Sequence, residues 1–69
     1  MRGTISALRT DKGYGFVCGE DGVDRFMHAT ALLEGVKLAH LMEGDAVEFE
    51  SEPSDRPGKG PRAVGVRLV

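Results

Sequence analysis

Apolar and polar residues alternate with period two over much of this chain. That is the spacing of half-buried strands, not of helices. Val47 and Phe49 alternate with Glu48, Glu50 and Glu52, which predicts a strand over 46–52 with one acidic face. Val64, Val66 and Leu68 alternate with Gly65 and Arg67 and predict a last strand over 63–69. Thr4 and Ile5 favour extension, so 3–9 reads as a first strand, ended by the turn formers Thr10 and Asp11. Residues 13–18 and 24–28 read as the second and third strands. Between them Gly19-Glu20-Asp21-Gly22 is a turn of the Asp-Gly kind, which favours a tight hairpin. Glu43-Gly44-Asp45 turns into the fourth strand, and residues 54–61, with Pro57, Gly58, Gly60 and Pro61, read as a flexible loop.

The helical signal is short. Residues 29–33 contain good helix formers, and Thr30 can cap a single turn. Leu38, Leu41 and Met42 have helical spacing, but Gly35 and Gly44 bracket them closely. Their expected role is to plug the end of a barrel. Five short strands, one hairpin and one longer crossing predict an all-β domain, a five-stranded antiparallel barrel spanning 1–69. A two-layer α/β domain needs helices that this pattern does not supply.

Length adds that the core must be modest. The lone Cys18 allows no intrachain disulfide, which fits a reducing compartment. No apolar run approaches a membrane span and no signal peptide opens the chain, so a cytoplasmic domain without membrane contact is expected. The net charge is −2. It is unevenly spread: residues 34–55 hold seven acidic side chains against Lys37, whereas the remainder holds eight basic side chains against four acidic ones. An anion-binding face is therefore expected from the N-terminal half and the C-terminal segment.

The candidate chemistry lies in Lys12-Gly13-Tyr14-Gly15-Phe16-Val17. In an extended strand Tyr14 and Phe16 share one face. Ten residues after Phe16, Phe26 and His28 repeat the device. Across a hairpin the two pairs face each other as a patch of flat rings, where bases can stack and phosphates can sit beside the cations. The first stretch fits the RNP1 pattern K/R-G-F/Y-G/A-F-V at six successive positions. The aromatic that the pattern asks for next is replaced by Gly19. Only eleven residues precede Lys12, too few for the RNA-recognition fold that carries this motif deep in its chain. No Cys, His and acid group has metal-ligand spacing, and no Gly-Lys-Ser/Thr phosphate loop occurs. Cys18 has no base beside it in the sequence. Neither an enzyme nor a cofactor is expected.

Taken together, several stretches make the chain similar to the bacterial cold-shock domain family. They are Asp11 to Val17, Asp24-Arg25-Phe26-Met27-His28 with Ala31-Leu32 following, Glu43-Gly44-Asp45-Ala46-Val47-Glu48-Phe49, and Gly58-Lys59-Gly60-Pro61-Arg62-Ala63. The resemblance implies an OB-fold barrel that binds single-stranded RNA or DNA, in the manner of an RNA chaperone or a regulator of transcription or translation. It implies base stacking by Tyr14, Phe16 and Phe26, stacking or hydrogen bonding by His28, and phosphate or base contacts from Arg9, Lys12, Lys59 and Arg62.

The departures from the family are equally specific. Where the family carries Lys-Trp-Phe-Asn, this chain reads Ser6-Ala7-Leu8-Arg9. Ala29 stands where another aromatic often follows the histidine, and 36–38 offers none. Arg25 replaces an inward aliphatic, a costly exchange unless the charge reaches the barrel rim. The missing rings predict weaker binding than is usual for the family. They also leave a second reading open, a protein-interaction barrel or a strand-swapped homodimer with little nucleic-acid binding.

Overall fold

A computed structural model describes residues 1–33, 35–53 and 60–69 of the protein. Five strands, β1 (Arg2–Arg9), β2 (Tyr14–Gly19), β3 (Asp24–His28), β4 (Ala46–Glu52) and β5 (Arg62–Leu68), close a barrel in the order β1-β2-β3-β5-β4. β4 pairs back with β1 and completes the ring. The strand pairs are antiparallel except at one seam, where β3 and β5 meet in parallel through Phe26 and Arg62. The expected OB-type barrel is therefore present. Among the described residues no helix is long and apolar enough to cross a membrane. The loop expected over 54–61 has residues 54–59 outside the described ones.

Alternation fills the interior. Ile5, Val17, Met27, Val47, Phe49, Ala63 and Val66 are buried. The connection between β3 and β4 adds Leu38 and Leu41 to the same core, as its expected plugging role requires. Met42, grouped with them by spacing, is 69% exposed instead. Two single helical turns punctuate that connection, Ala29–Ala31 and Leu38–His40. Thr30 does not cap the first. His28 does, its ring accepting the Thr30 N–H.

The last strand departs from simple alternation. Gly65 has φ of 61°, left-handed backbone that favours glycine. At this point β5 carries an extra residue: Glu48 faces Arg67 while Glu50 already faces Val64. Such a bulge re-aims the side chains on either side of it. Ala63 and Val66 consequently both point inward, and Leu68, expected inside, is exposed as the last residue of the strand.

Arg25 is the one buried charged side chain among the described residues. It stays inside because its donors are matched. Nε donates to Ser51 Oγ (2.7 Å), Nη1 to Asp21 Oδ1 (2.9 Å) and the Val23 carbonyl (3.0 Å), and Nη2 to Asp21 Oδ2 (2.6 Å). The guanidinium carbon lies 5.5 Å from the centroid of Phe49, so an aromatic face also receives the cation. Asp21, in the β2–β3 turn, is the partner at the rim that the charge needed. Gly19 leaves room for this arrangement, since a Cβ there would collide with Arg25 Nη1.

The pairing has a consequence for acid stability. The Arg25 hydrogen bonds, and next the Val23 N–H, hold the Asp21 carboxyl well below the usual carboxylate range. A depressed native pKa contributes stability that is complete above the unfolded value, about 4, and is lost as pH falls toward the native one. Asp21→Asn is therefore expected to melt below the wild type at neutral pH, with the gap narrowing as pH falls below about 4. Arg25→Met, which removes charge and partner requirement together, should stay folded and melt at or above wild type at neutral pH. Thermal melts followed by circular dichroism across pH check both.

Candidate nucleic-acid interface

The register of the β2–β3 hairpin builds the aromatic face. Phe16 lies opposite Phe26 and Tyr14 opposite His28. Val17 and Met27, the neighbours of Phe16 and Phe26, are fully buried, so pleating sends the rings outward. Phe16 is 36% and Phe26 39% exposed. Tyr14 and Phe26 sit 5.5 Å apart at an interplanar angle of 32°. Phe16 stands nearly perpendicular to both, at 6.0 Å and 89° from Tyr14 and 5.9 Å and 76° from Phe26. Phe26 and His28 are 6.4 Å apart at 37°. Flat surface is thus offered in two orientations, one on Phe16 and one along Tyr14, Phe26 and His28.

Two rows of side chains cross this face. The first runs Arg9, Tyr14, His28. The second runs Ala7, Phe16, Phe26, Arg62, Glu52, through β1, β2, β3, β5 and β4 in turn. A bulge at Ser6 sets the register that brings Ala7 opposite Phe16. The half-buried Ala7 therefore occupies a position beside the rings, where the family resemblance implies an exposed aromatic.

The predicted cations are distributed unevenly. Arg9 ends β1 opposite Tyr14, and its Nη1 donates to the Leu8 carbonyl (3.0 Å). Lys12 is exposed in the turn before β2, not within the strand. Arg62 sits at the start of β5 beside Phe26 and is ion-paired with Glu52 (3.3 Å). Lys59 lies outside the described residues. Between the first helical turn and β5 a cavity of about 350 Å³ opens, lined by Phe26, His28, Thr30, Leu33, Glu52 and Arg62 among others.

His28 is more defined than its sequence position indicated. The Thr30 N–H donates to Nδ1 (3.2 Å), and Thr30 Oγ1 lies 2.9 Å from the same atom. A backbone amide only donates, so Nδ1 is an acceptor and the neutral ring carries its proton on Nε2. The ring therefore presents an outward N–H donor. Sequence reasoning had named the residue but missed this cap. The sequence carried little signal for it, since the donor is a backbone amide two residues downstream that almost any residue supplies.

A small closed barrel with an outer platform of rings and cations at its margin defines a class, the OB-type nucleic-acid-binding domains. The comparisons carry this further. The sequence profile of the 'Cold-shock' DNA-binding domain matches residues 1–69. The chain is 48% identical over 65 residues to Cold shock protein 1 of Lactiplantibacillus plantarum, covering 93% of this chain and 91% of that protein. It is 43% identical over 71 residues to a Cold shock-like protein of Aquifex aeolicus, covering 100% and 94%. It is 41% identical over 70 residues to a Cold shock-like protein of Thermotoga maritima, covering 100% and 98%. The chain belongs to the cold-shock domain family, whose members bind nucleic acid.

The tautomer is directly measurable. Long-range proton–nitrogen NMR of neutral His28 is expected to show the Nε2–H form in large excess. Thr30→Ala, which keeps the backbone donor, should retain that excess. Equal populations of the two forms in either protein would remove the amide as the cause.

Proposed function

We propose that this barrel holds a few nucleotides of single-stranded RNA or DNA on the Tyr14, Phe16, Phe26 and His28 face. Tyr14, Phe16 and Phe26 stack on bases. His28 stacks beside them and donates through Nε2. Arg9, Lys12 and Arg62, with Lys59 outside the described residues, contact phosphates. The observation that carries the reading is the pairing of Phe16 with Phe26, both more than a third exposed above a core already filled by Val17 and Met27. Rings that do not cover the core are available to a ligand. Readout of sequence is slight, because every base has a face to stack. Affinity is lower than in relatives with more rings. The cellular role that fits is transient holding of unpaired strands, or regulation of transcription or translation.

A strand-exchanged homodimer is the second reading, favoured by the β3–β5 seam. There Phe26 and Arg62 form the single paired position and Phe26 N–H donates to the Pro61 carbonyl (3.2 Å), a sparser join than the antiparallel ladders. Light scattering separates monomer from dimer.

Three results are expected in titrations with short oligonucleotides. Single strands bind better than duplex, and affinity falls as salt rises. Phe26→Ala weakens single-strand binding by about 1–3 kcal/mol and leaves the barrel folded. Equal affinity of the two proteins refutes the stacking assignment and favours the protein-interaction reading.

Ala7→Trp tests the same face by addition. A ring opposite Phe16 adds a base platform worth about 1–3 kcal/mol at most. The gain should persist at high salt, since stacking itself releases no counterions. Titrations at two salt concentrations, with a melt of each protein, check it. A folded variant of unchanged affinity removes Ala7 from the binding face.

A further inference from the structure

The Glu52–Arg62 pair sits at the edge of the ring platform rather than away from it. Cross-strand register puts Glu52 directly opposite Arg62, and Arg62 beside Phe26. Arg62 Nε is 3.3 Å from Glu52 Oε1, and each side chain is about half exposed, 48% and 49%. Both also line the cavity that His28 and Phe26 share. A backbone phosphate of a strand stacked on Phe26 and a carboxylate already in place thus compete for one guanidinium. Both are oxyanions, and a guanidinium fork recognises either.

We propose that Glu52 is an intramolecular competitor for Arg62 that lowers the affinity of this face for the phosphate backbone and flattens its salt dependence. The inference rests on the reading of the face given above. When a phosphate takes Arg62, the ion pair must open, and the released carboxylate stays beside the new anion. Part of the attraction is cancelled, so the contact neutralises less than one phosphate. Glu50, on the same strand, faces Val64 rather than a cation, so it provides a control of equal charge. The exchange is non-covalent and reversible, so Glu52 tunes binding continuously instead of switching it.

The test is a double-mutant cycle read by fluorescence anisotropy with a labelled short oligothymidylate, over a range of salt. Glu52→Gln is expected to bind about two- to fivefold tighter, the range set by exposed ion pairs. Its slope of log affinity against log salt should steepen by a fraction of about 0.7, the increment for one fully neutralised phosphate on a single strand. The gain should vanish in an Arg62→Gln background, and Glu50→Gln should gain less. Binding by Glu52→Gln where the wild type binds undetectably supports the proposal too. A gain that survives in Arg62→Gln overturns it, because Glu52 then acts only as a repelling charge. No gain, with Phe26→Ala still weakening the wild type, overturns it while leaving the stacking face intact. Selective weakening of Glu52→Gln on a guanine-containing strand overturns it as well, since the carboxylate then reads base N–H groups. Absence of binding by wild type and Glu52→Gln alike instead defeats the stacking face itself, and the proposal falls with it.

Discussion

The register between β2 and β3 is the constraint on which the rest depends. A slip of one residue turns one strand over: if β2 moved, Phe16 would point inward and Val17 outward, and if β3 moved, Phe26 would point inward while Met27 and Arg25 left the interior. Three features hold the hairpin against that slip. Val17 and Met27 lose their burial if it moves. The turn closes through Gly22 N–H donating to the Gly19 carbonyl (2.9 Å). Arg25 reaches back four residues to Asp21 and across to Ser51 on β4, which ties hairpin, turn and opposite wall together. A buried ion pair is weak evidence for stability, but its geometric demands penalise alternatives. Register specification is the role it fits here.

On the proposed reading a chain of negative net charge carries a face for anions, which makes the placement of its charges decisive. Most of the acids fall within residues 34–55, and several are already matched. Glu48 pairs with Arg67 and Arg2, and the Arg67 hydrogen bond, followed by its charge, lowers the Glu48 carboxyl from its ordinary value. These contacts also occupy the cations. Arg2, Arg25, Arg62 and Arg67 each have an acidic partner. Exposed pairs of this kind contribute little to stability. Their larger effect is to remove positive charge from the pool that meets a ligand, so ring stacking must carry more of any affinity.

Legibility in the sequence followed the physics of each feature. The bounds of β3 and β4 were readable, and those of β1, β2 and β5 within about a residue at either end, because alternation is a local signal. The ring patch was readable for the same reason, since its members lie two apart on adjacent strands. The bulge at Gly65 was not readable: a glycine in an alternating run marks many things, and only the partner strand tells which. The Glu52–Arg62 pair and the Arg25–Ser51 bond were hidden because the partners lie on different strands, 26 residues away for Ser51, and Asp21 meets Arg25 only because the turn folds back on the strand. The capping role of His28 was hidden by Thr30, which is by composition the better cap.

The row from Ala7 to Glu52 brings these threads together. At its β1 end a ring is absent, which removes a stacking platform. At its β4 end an acid holds the cation, which reduces a phosphate contact. Between them Phe16 and Phe26 remain paired over an intact core. On the proposed reading the two ends weaken different terms of one interaction. The first lowers affinity at every salt concentration, whereas the second lowers it most where salt is dilute and electrostatics are strong. The face that results is centred on two rings, short in footprint and comparatively insensitive to salt. Such a face suits brief contacts with many strands better than long residence on one.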